Sequence, residues 1–242
     1  MTYCVAIRLA QGLVFASDTR TNAGVDHVAT FRKMRVFEKP GQARMVLLSS
    51  GNLATSQSVA SLLELSCRHH EPARNLLQVA SLYDAAAMVG ATLREVVARD
   101  ADPASTIDFS SHFLLGGQVE GEAMRLFHIY PQGNFIEASR DTPYFQIGEA
   151  KYGKPILDRV LDYDTPLAQA IQCALISLDS TMRSNLSVGA PIDLVWLRPD
   201  DAAPLAPVRL AEKDPYFSVL RQAWSKGLRE VFATLPAPDW PL

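Results

Sequence analysis

Alternation of apolar with small or polar side chains opens the chain. Residues 3 to 9 place Tyr3, Val5, Ile7 and Leu9 on one side, and Thr2, Cys4, Ala6 and Arg8 on the other, and a period of two is that of a β-strand. After Ala10-Gln11-Gly12 the run LVFASD predicts a returning strand. A second pair, RVFEK and RMVLLSS, flanks the turn signal Pro40-Gly41. Four strands are therefore expected before any helix.

The period then changes. Asn52 is placed to cap a helix running to about Cys67, and residues 76 to 99 carry apolar side chains at helical spacing. SHFLLGGQV, AMRLFHIYP and NFIEAS return to strand character. From Glu149 the pattern is helical again, with Pro155 forcing a late start or a kink and Thr165-Pro166 a capped start to AQAIQCALISLDSTM. IDLVWL reads as a buried strand. Asp214-Pro215 opens a C-terminal helix over about 215–235, with Phe217, Leu220, Trp224, Leu228, Val231 and Leu235 on one face and Pro236 as its stop. Blocks of strands and blocks of helices, rather than strict alternation, predict an α+β fold of two antiparallel sheets stacked between helical layers. With no repeat, linker or low-complexity segment, residues 1–242 are read as a single domain.

Composition narrows the function classes. The 242 residues are 48% apolar, enough for a sizeable core, and the net charge of −3 comes with no basic stripe, so nucleic acid is not an expected partner. No basic-then-apolar leader and no run of eighteen apolar residues is present, so no membrane partner is expected. Cys4, Cys67 and Cys173 are too scattered for a disulfide framework. A reducing, cytoplasmic setting fits. Cys67, His69 and His70 fall at a helix end and are read as structural. Asp100, Asp102 and Asp108 lack the glycine and terminal glutamate of a calcium loop. No metal or cofactor is implied.

The candidate chemistry begins at the second residue. A threonine hydroxyl needs a base to take its proton, and an N-terminal amine serves as one. Loss of Met1, common where the second residue is small, would free the Thr2 amine, whose ordinary pKa of about 7.7–8.0 suits general-base work. If the loop Ala10-Gln11-Gly12 holds three residues, Leu9 pairs with Leu13, Cys4 with Asp18 and Thr2 with Arg20, so that Thr2 and Asp18 share a face. A slip of one residue would separate them. Lys33 follows just ahead of the third strand, where a lysine held near Asp18 stays charged and lowers the pKa of a nearby amine or hydroxyl. Gly51, at the passage from strand to helix, offers a backbone N–H to a developing oxyanion.

At these residues the chain resembles the proteasome-type N-terminal threonine hydrolases, and within them the bacterial proteasome-related family called Anbu. The resemblance rests on MTYCVAIRL, ASDTRTNAGVDHVATFRKMRVFE, LLSSGNLATSQSV, YFQIGEAKYGKPILDR and SLDSTMRSNLSVGAPIDL, which together span most of the chain. It implies a four-layer αββα sandwich with the nucleophile at Thr2, the acidic partner at Asp18, the lysine at Lys33 and the oxyanion amide at Gly51. Where proteasome subunits generally carry a serine between glycines, this chain has Glu149 followed by Ala150. A carboxylate there is placed to change the amine pKa or to position water. Asp179 is a supporting candidate, with Ser184 or Ser187 as the accompanying serine. By the same analogy Phe31, Arg35, Ser49 and Leu53 line the pocket, a mixed set with no sharp preference.

The function expected is therefore a threonine-type peptidase or amide hydrolase that forms an acyl-enzyme on Thr2. Its partners would be a peptide or protein substrate and further copies of itself in a ring or open spiral. Whether an ATP-dependent unfoldase feeds the assembly is not written in the sequence. Two alternatives remain beside it: an assembly or scaffold subunit whose site is idle, and a small-amide acylase using the same chemistry.

Overall fold

A computed structural model describes residues 1–22, 28–71, 74–102, 106–199, 201 and 203–239. Residues 23–27 of the stretch ASDTRTNAGVDHVATFRKMRVFE lie outside the described residues. Twelve described strands are numbered β1 to β12 in chain order. β1 (Tyr3–Leu9) and β2 (Gly12–Asp18) form the expected first hairpin. The short β3 (Arg20–Asn22) and β4 (Val28–Thr30) come before β5 (Met34–Lys39) and β6 (Ala43–Gly51). Among the described residues they pair only with each other. Six described strands, not the four expected, thus precede the first helix.

Helices α1 (Leu53–Arg68) and α2 (Leu82–Asp100) follow. The second starts later than its apolar spacing predicts. Leu76–Gln78 is a separate 3-10 turn, and the α2 cap is Ser81, whose hydroxyl accepts the Asp84 N–H at 3.1 Å. Strands β7 (Ser111–Val119), β8 (Arg125–Ile129) and β9 (Phe135–Glu137) lie where expected, but β10 (Tyr144–Gly148) occupies a stretch the pattern did not mark. Then come α3 (Lys154–Val160), α4 (Leu167–Ser184), β11 (Ile192–Leu197), β12 (Val208–Leu210) and α5 (Pro215–Ala233). Thr165 does not cap α4. The Gln11 side chain, from the turn of the first hairpin, accepts the Leu167 N–H at 3.1 Å instead.

Two five-stranded sheets result, ordered β10-β1-β2-β11-β12 and β5-β6-β7-β8-β9. Strand alternation then divides the core in three. Cys4, Ala6 and Phe15 of one sheet meet Val46, Leu48 and Leu114 of the other between the sheets. Tyr3, Val5 and Ile7 pack outward under Leu157 of α3, Ala174 of α4 and Phe217 of α5. Met45, Leu47 and Phe113 pack outward under Val59 of α1 and Val89 of α2. The fold is an α+β sandwich with helices outside both sheets. Within α5 only the near end turns inward: Phe217 is buried, while Val219, Leu228, Val231 and Phe232 are exposed. Among the described residues no helix is long and apolar enough to cross a membrane.

One polar contact between neighbouring strands is pH-sensitive. His112 Nδ1 and His128 Nε2 lie 3.2 Å apart, so one ring must donate to a neutral partner. Burial, then the charge of His112, pushes His128 down from 6.5 to about 4. The folded protein therefore binds fewer protons here than the unfolded chain, and this pair's contribution, complete above about pH 6.5, is lost as the pH falls toward 4. A melting midpoint that drops between pH 7 and pH 5, with a smaller drop in His128→Phe, is the expected outcome.

Candidate active site

The first hairpin delivers the acidic partner in a register the sequence did not predict. Leu9 pairs with Gly12 and Cys4 with Ser17, so the turn holds only Ala10 and Gln11. The expected pairing of Cys4 with Asp18 is off by one, and Thr2 and Asp18 do not share a face by alternation. Continued one step, the observed register sets Asp18 opposite Tyr3. Asp18 is the last residue of β2, and there its carboxylate is free of the ladder. Oδ1 accepts the Tyr3 N–H at 3.0 Å and Oδ2 accepts the Gly189 N–H at 3.3 Å. The carboxylate thus fixes the backbone next to Thr2 rather than facing the Thr2 side chain across a strand pair.

Lys33 completes this cluster from the approach to β5. Its Nζ lies 2.6 Å from Asp18 Oδ1 and donates also to the Arg20 carbonyl at 2.6 Å. Asp18 is fully buried and Lys33 is 5% exposed. Burial raises the Asp18 carboxyl above the ordinary carboxylate range, and the Lys33 charge and the two backbone amides pull it back down. A pair this deep is supported by three donors to the carboxylate, the Lys33 ammonium and the Tyr3 and Gly189 N–H groups. Cys4, the neighbouring thiol, is fully buried and its pKa is pushed up by that burial, which leaves it unreactive.

Thr2 sits at the start of β1 and is clamped from β10. The Glu149 N–H donates to the Thr2 carbonyl at 2.7 Å. Gly148, at φ +84°, comes so close that a Cβ there would collide with that carbonyl. Glu149 is 8% exposed. Its Oε2 accepts from Asn185 Nδ2 at 2.8 Å, and its Oε1 lies 3.4 Å from Lys151 Nζ. The same Asn185 amide approaches Met1 Sδ at 3.9 Å, so Met1 rests beside the Glu149 carboxylate. The Glu149 carboxylate is thus held in place by a neutral donor and a cation.

Gly51 closes β6 at φ +104°, where a side chain would strike the Ser110 carbonyl. The next residue, Asn52, caps α1 by accepting the Thr55 N–H at 3.1 Å, so Gly51 stands at the N-terminal, electropositive end of that helix.

A cavity of about 470 Å³ joins these elements, with Thr2, Lys33, Gly51, Glu149 and Met1 all on its wall. Asp18 lies behind Lys33 and does not line it. Arg35, Ser49 and Leu53 do line it, whereas Phe31 does not. Asp179 is elsewhere. It is buried on α4 with its carboxylate 3.0 Å from Arg183 Nε and 2.5 Å from Arg221 Nε, where it ties α4 to α5. Ser184 and Ser187 are likewise absent from the lining. The sequence reading missed Arg32, Asn185 and Gly148. Arg32 lies next to Lys33 and was within reach of a spacing argument. Asn185, just past the end of α4, meets Glu149, 36 positions earlier, only through tertiary packing, which leaves no trace in local sequence.

Two stacked antiparallel sheets within helical layers, a strand-end aspartate bound to a buried lysine, and a threonine at the mouth define a proteasome-type subunit. In agreement, the family model described as Proteasome subunit matches residues 2–197. No curated protein matches the chain. Among solved structures the chain is similar to Anbu (ancestral beta-subunit) from Yersinia bercovieri, with 57% identity, a TM-score of 0.93, and 99% of this chain and 100% of that one covered. It is similar too to the chain in the helical assembly of the Anbu complex from Pseudomonas aeruginosa, at 54% identity and TM-score 0.93 over 98% of each chain. A third relative, Anbu from Hyphomicrobium sp. strain MC1, is 48% identical with a TM-score of 0.90, over 98% of this chain and 100% of that one. The chain belongs to the proteasome family and, within it, to the Anbu proteins.

Proposed function

We propose that this protein is a threonine-type amide hydrolase, a peptidase subunit of a self-associating assembly, that works through an acyl-enzyme on Thr2 after removal of Met1. While Met1 is attached, the Thr2 nitrogen is an amide and has no free lone pair for a proton. Once freed, the amine takes the Oγ proton as Oγ attacks the carbonyl, with the Gly51 N–H directed at the oxyanion. The carbon–nitrogen bond then breaks, the leaving amine receives the proton, and Oγ remains joined as an ester. Water, activated by the same amine, adds to the ester and returns the proton to Oγ. Lys33, charged beside Asp18, supplies the positive field that favours loss of the hydroxyl proton.

The observation that carries this reading is the buried Lys33–Asp18 pair at 2.6 Å, tied by Asp18 to the Tyr3 amide, directly behind a cavity that contains both Thr2 and Gly51. The Anbu helical assembly of Pseudomonas aeruginosa supports self-association into a ring or open spiral, and the exposed apolar residues of α5 are consistent with an assembled form. A peptide bearing a vinyl sulfone tests the chemistry. Thr2 Oγ should add to the vinyl carbon, the proton passing to the carbon beside sulfur, and the adduct should map to Thr2. Labelling that persists in Thr2→Ala overturns the mechanism.

Glu149 adds a prediction of its own. Its carboxylate lines the same cavity and its backbone holds Thr2, so it favours the charged form of a freed Thr2 amine. Glu149→Gln should shift the alkaline-activated limb of the kcat/KM profile to lower pH. A profile that stays in place assigns Glu149 to holding Asn185 alone. A second reading, an assembly subunit with an idle site, is favoured by that same carboxylate in place of the serine. It predicts no adduct even on a free Thr2.

A further inference from the structure

The cavity beside Thr2 is bordered by cations. Arg32, Lys33 and Arg35 line it against one carboxylate, Glu149. These charges are not equivalent. Lys33 already has its carboxylate partner in Asp18, and Glu149 is held by Asn185 and Lys151. Arg35 Nε lies 2.9 Å from Glu64 Oε1, with the two side chains 29% and 38% exposed, a solvated pair that another carboxylate can replace at little cost. Arg32 is exposed, and among the described residues no carboxylate stands within ion-pairing distance of it. Its charge and that of Arg35 are sensed by Asp193 of β11, which has its own partner, Arg209, at 3.4 Å.

The shape around these guanidinium groups is specific. Arg35 pairs with Leu47 across β5 and β6, so both face α1, and Arg35 reaches Glu64 on that helix. The space between therefore has an apolar floor of Leu47, Phe113 and Ala60, and cations on the β5 side. The Gln57 amide on the α1 side makes no hydrogen bond among the described residues and is available to a second oxygen. A short methylene stem ending in a planar anion satisfies each of these surfaces, because guanidinium donors match a carboxylate in geometry as well as charge. Phe31 was expected in the lining and is absent, while Arg32 is present, and that exchange turns a mixed pocket into a cationic one.

We propose that this cavity selects an acidic side chain, aspartate or glutamate, on the substrate residue whose carbonyl Thr2 attacks. The inference rests on Thr2 acting as the nucleophile. Arg32 is the main selector and Arg35 the second, released from Glu64 when the substrate carboxylate enters.

Peptidyl vinyl sulfones of one sequence, with Asp, Asn, Leu or Lys at the residue bearing the reactive group, separate the two claims when adduct formation on the protein with a free Thr2 is followed by intact mass. The Asp peptide should react about tenfold or more faster than the isosteric Asn peptide, and the Lys peptide slowest. The Asp-to-Asn ratio should shrink on raising the ionic strength from about 0.05 to 0.5 M. In Arg32→Gln the Asp rate should fall far more than the Asn rate, bringing the ratio toward one; a ratio unchanged in that variant removes Arg32 as the selector. Equal Asp and Asn rates on a labelled Thr2, or a preference for Lys or Leu, overturn the acidic selection and leave the nucleophile standing. No adduct with any peptide overturns the reading of the site, and the selection with it.

Discussion

Lys33→Met is expected to destabilise the fold by roughly 3–5 kcal/mol, the range for stranding one member of a buried ion pair. Asp18, fully buried, would keep only the Tyr3 and Gly189 amides as donors and would meet the loss either as an uncompensated charge or by taking up a proton. The cost should appear in a urea midpoint. Its cause is separable from catalysis by the double variant Asp18→Asn/Lys33→Met. That variant removes both charges and retains an oxygen for the Tyr3 N–H, so most of the lost stability should return. Hydrolysis and labelling at Thr2 should not return, since the proposed mechanism loses the cation beside the nucleophile. A double variant that regains activity along with stability would reduce the pair to a structural tie.

Thr2→Ala carries the largest effect on turnover. With Met1 removed, the alanine variant keeps the α-amine, Lys33, Asp18 and Gly51 but has no atom to form the ester, and kcat/KM for a cleaved amide should fall by on the order of 10⁴-fold or more, as when a nucleophile is deleted from a cooperating set. Thr2→Ser restores an Oγ and should recover a measurable part of the rate. The Thr2 side chain is only half-buried, so neither variant should move the melting midpoint by more than about 0.5 kcal/mol in stability. Loss of activity accompanied by unfolding would point to packing instead.

Much of this site is legible in the chain because its parts are local signals. A small residue behind the initiator, an aspartate ending an alternating run and a glycine-asparagine pair at a strand-to-helix passage each have a physical reading. Lys33 is legible only as a cation just ahead of a predicted strand; the short β3–β4 pair that returns it to Asp18 left no readable pattern. The register was misread because Gly12 belongs to β2 and not to the turn, and a two-residue and a three-residue loop leave the same alternation on each strand. Only the pairing partner distinguishes them. Strands β3, β4 and β12 were missed because three residues do not establish a period. β10 carries its alternation in Phe145 and Ile147 but runs straight into the helical pattern that follows. The α4 cap was misassigned to Thr165 because its true partner, Gln11, is 156 positions away. Asp179 was drawn toward the site by analogy with a motif, and its two arginine partners reveal a different contact.

In the proposed mechanism one peptide bond, Met1–Thr2, separates an inert strand terminus from a nucleophile with its own base. Met1 is 63% exposed, open to an aminopeptidase before assembly. The most direct measurement is the intact mass of the purified, assembled protein before and after exposure to the peptidyl vinyl sulfone. The account predicts a mass lacking methionine that then rises by one adduct located on Thr2. A protein that retains Met1 in its assembled form, or that loses Met1 and still takes no adduct at Thr2, contradicts it.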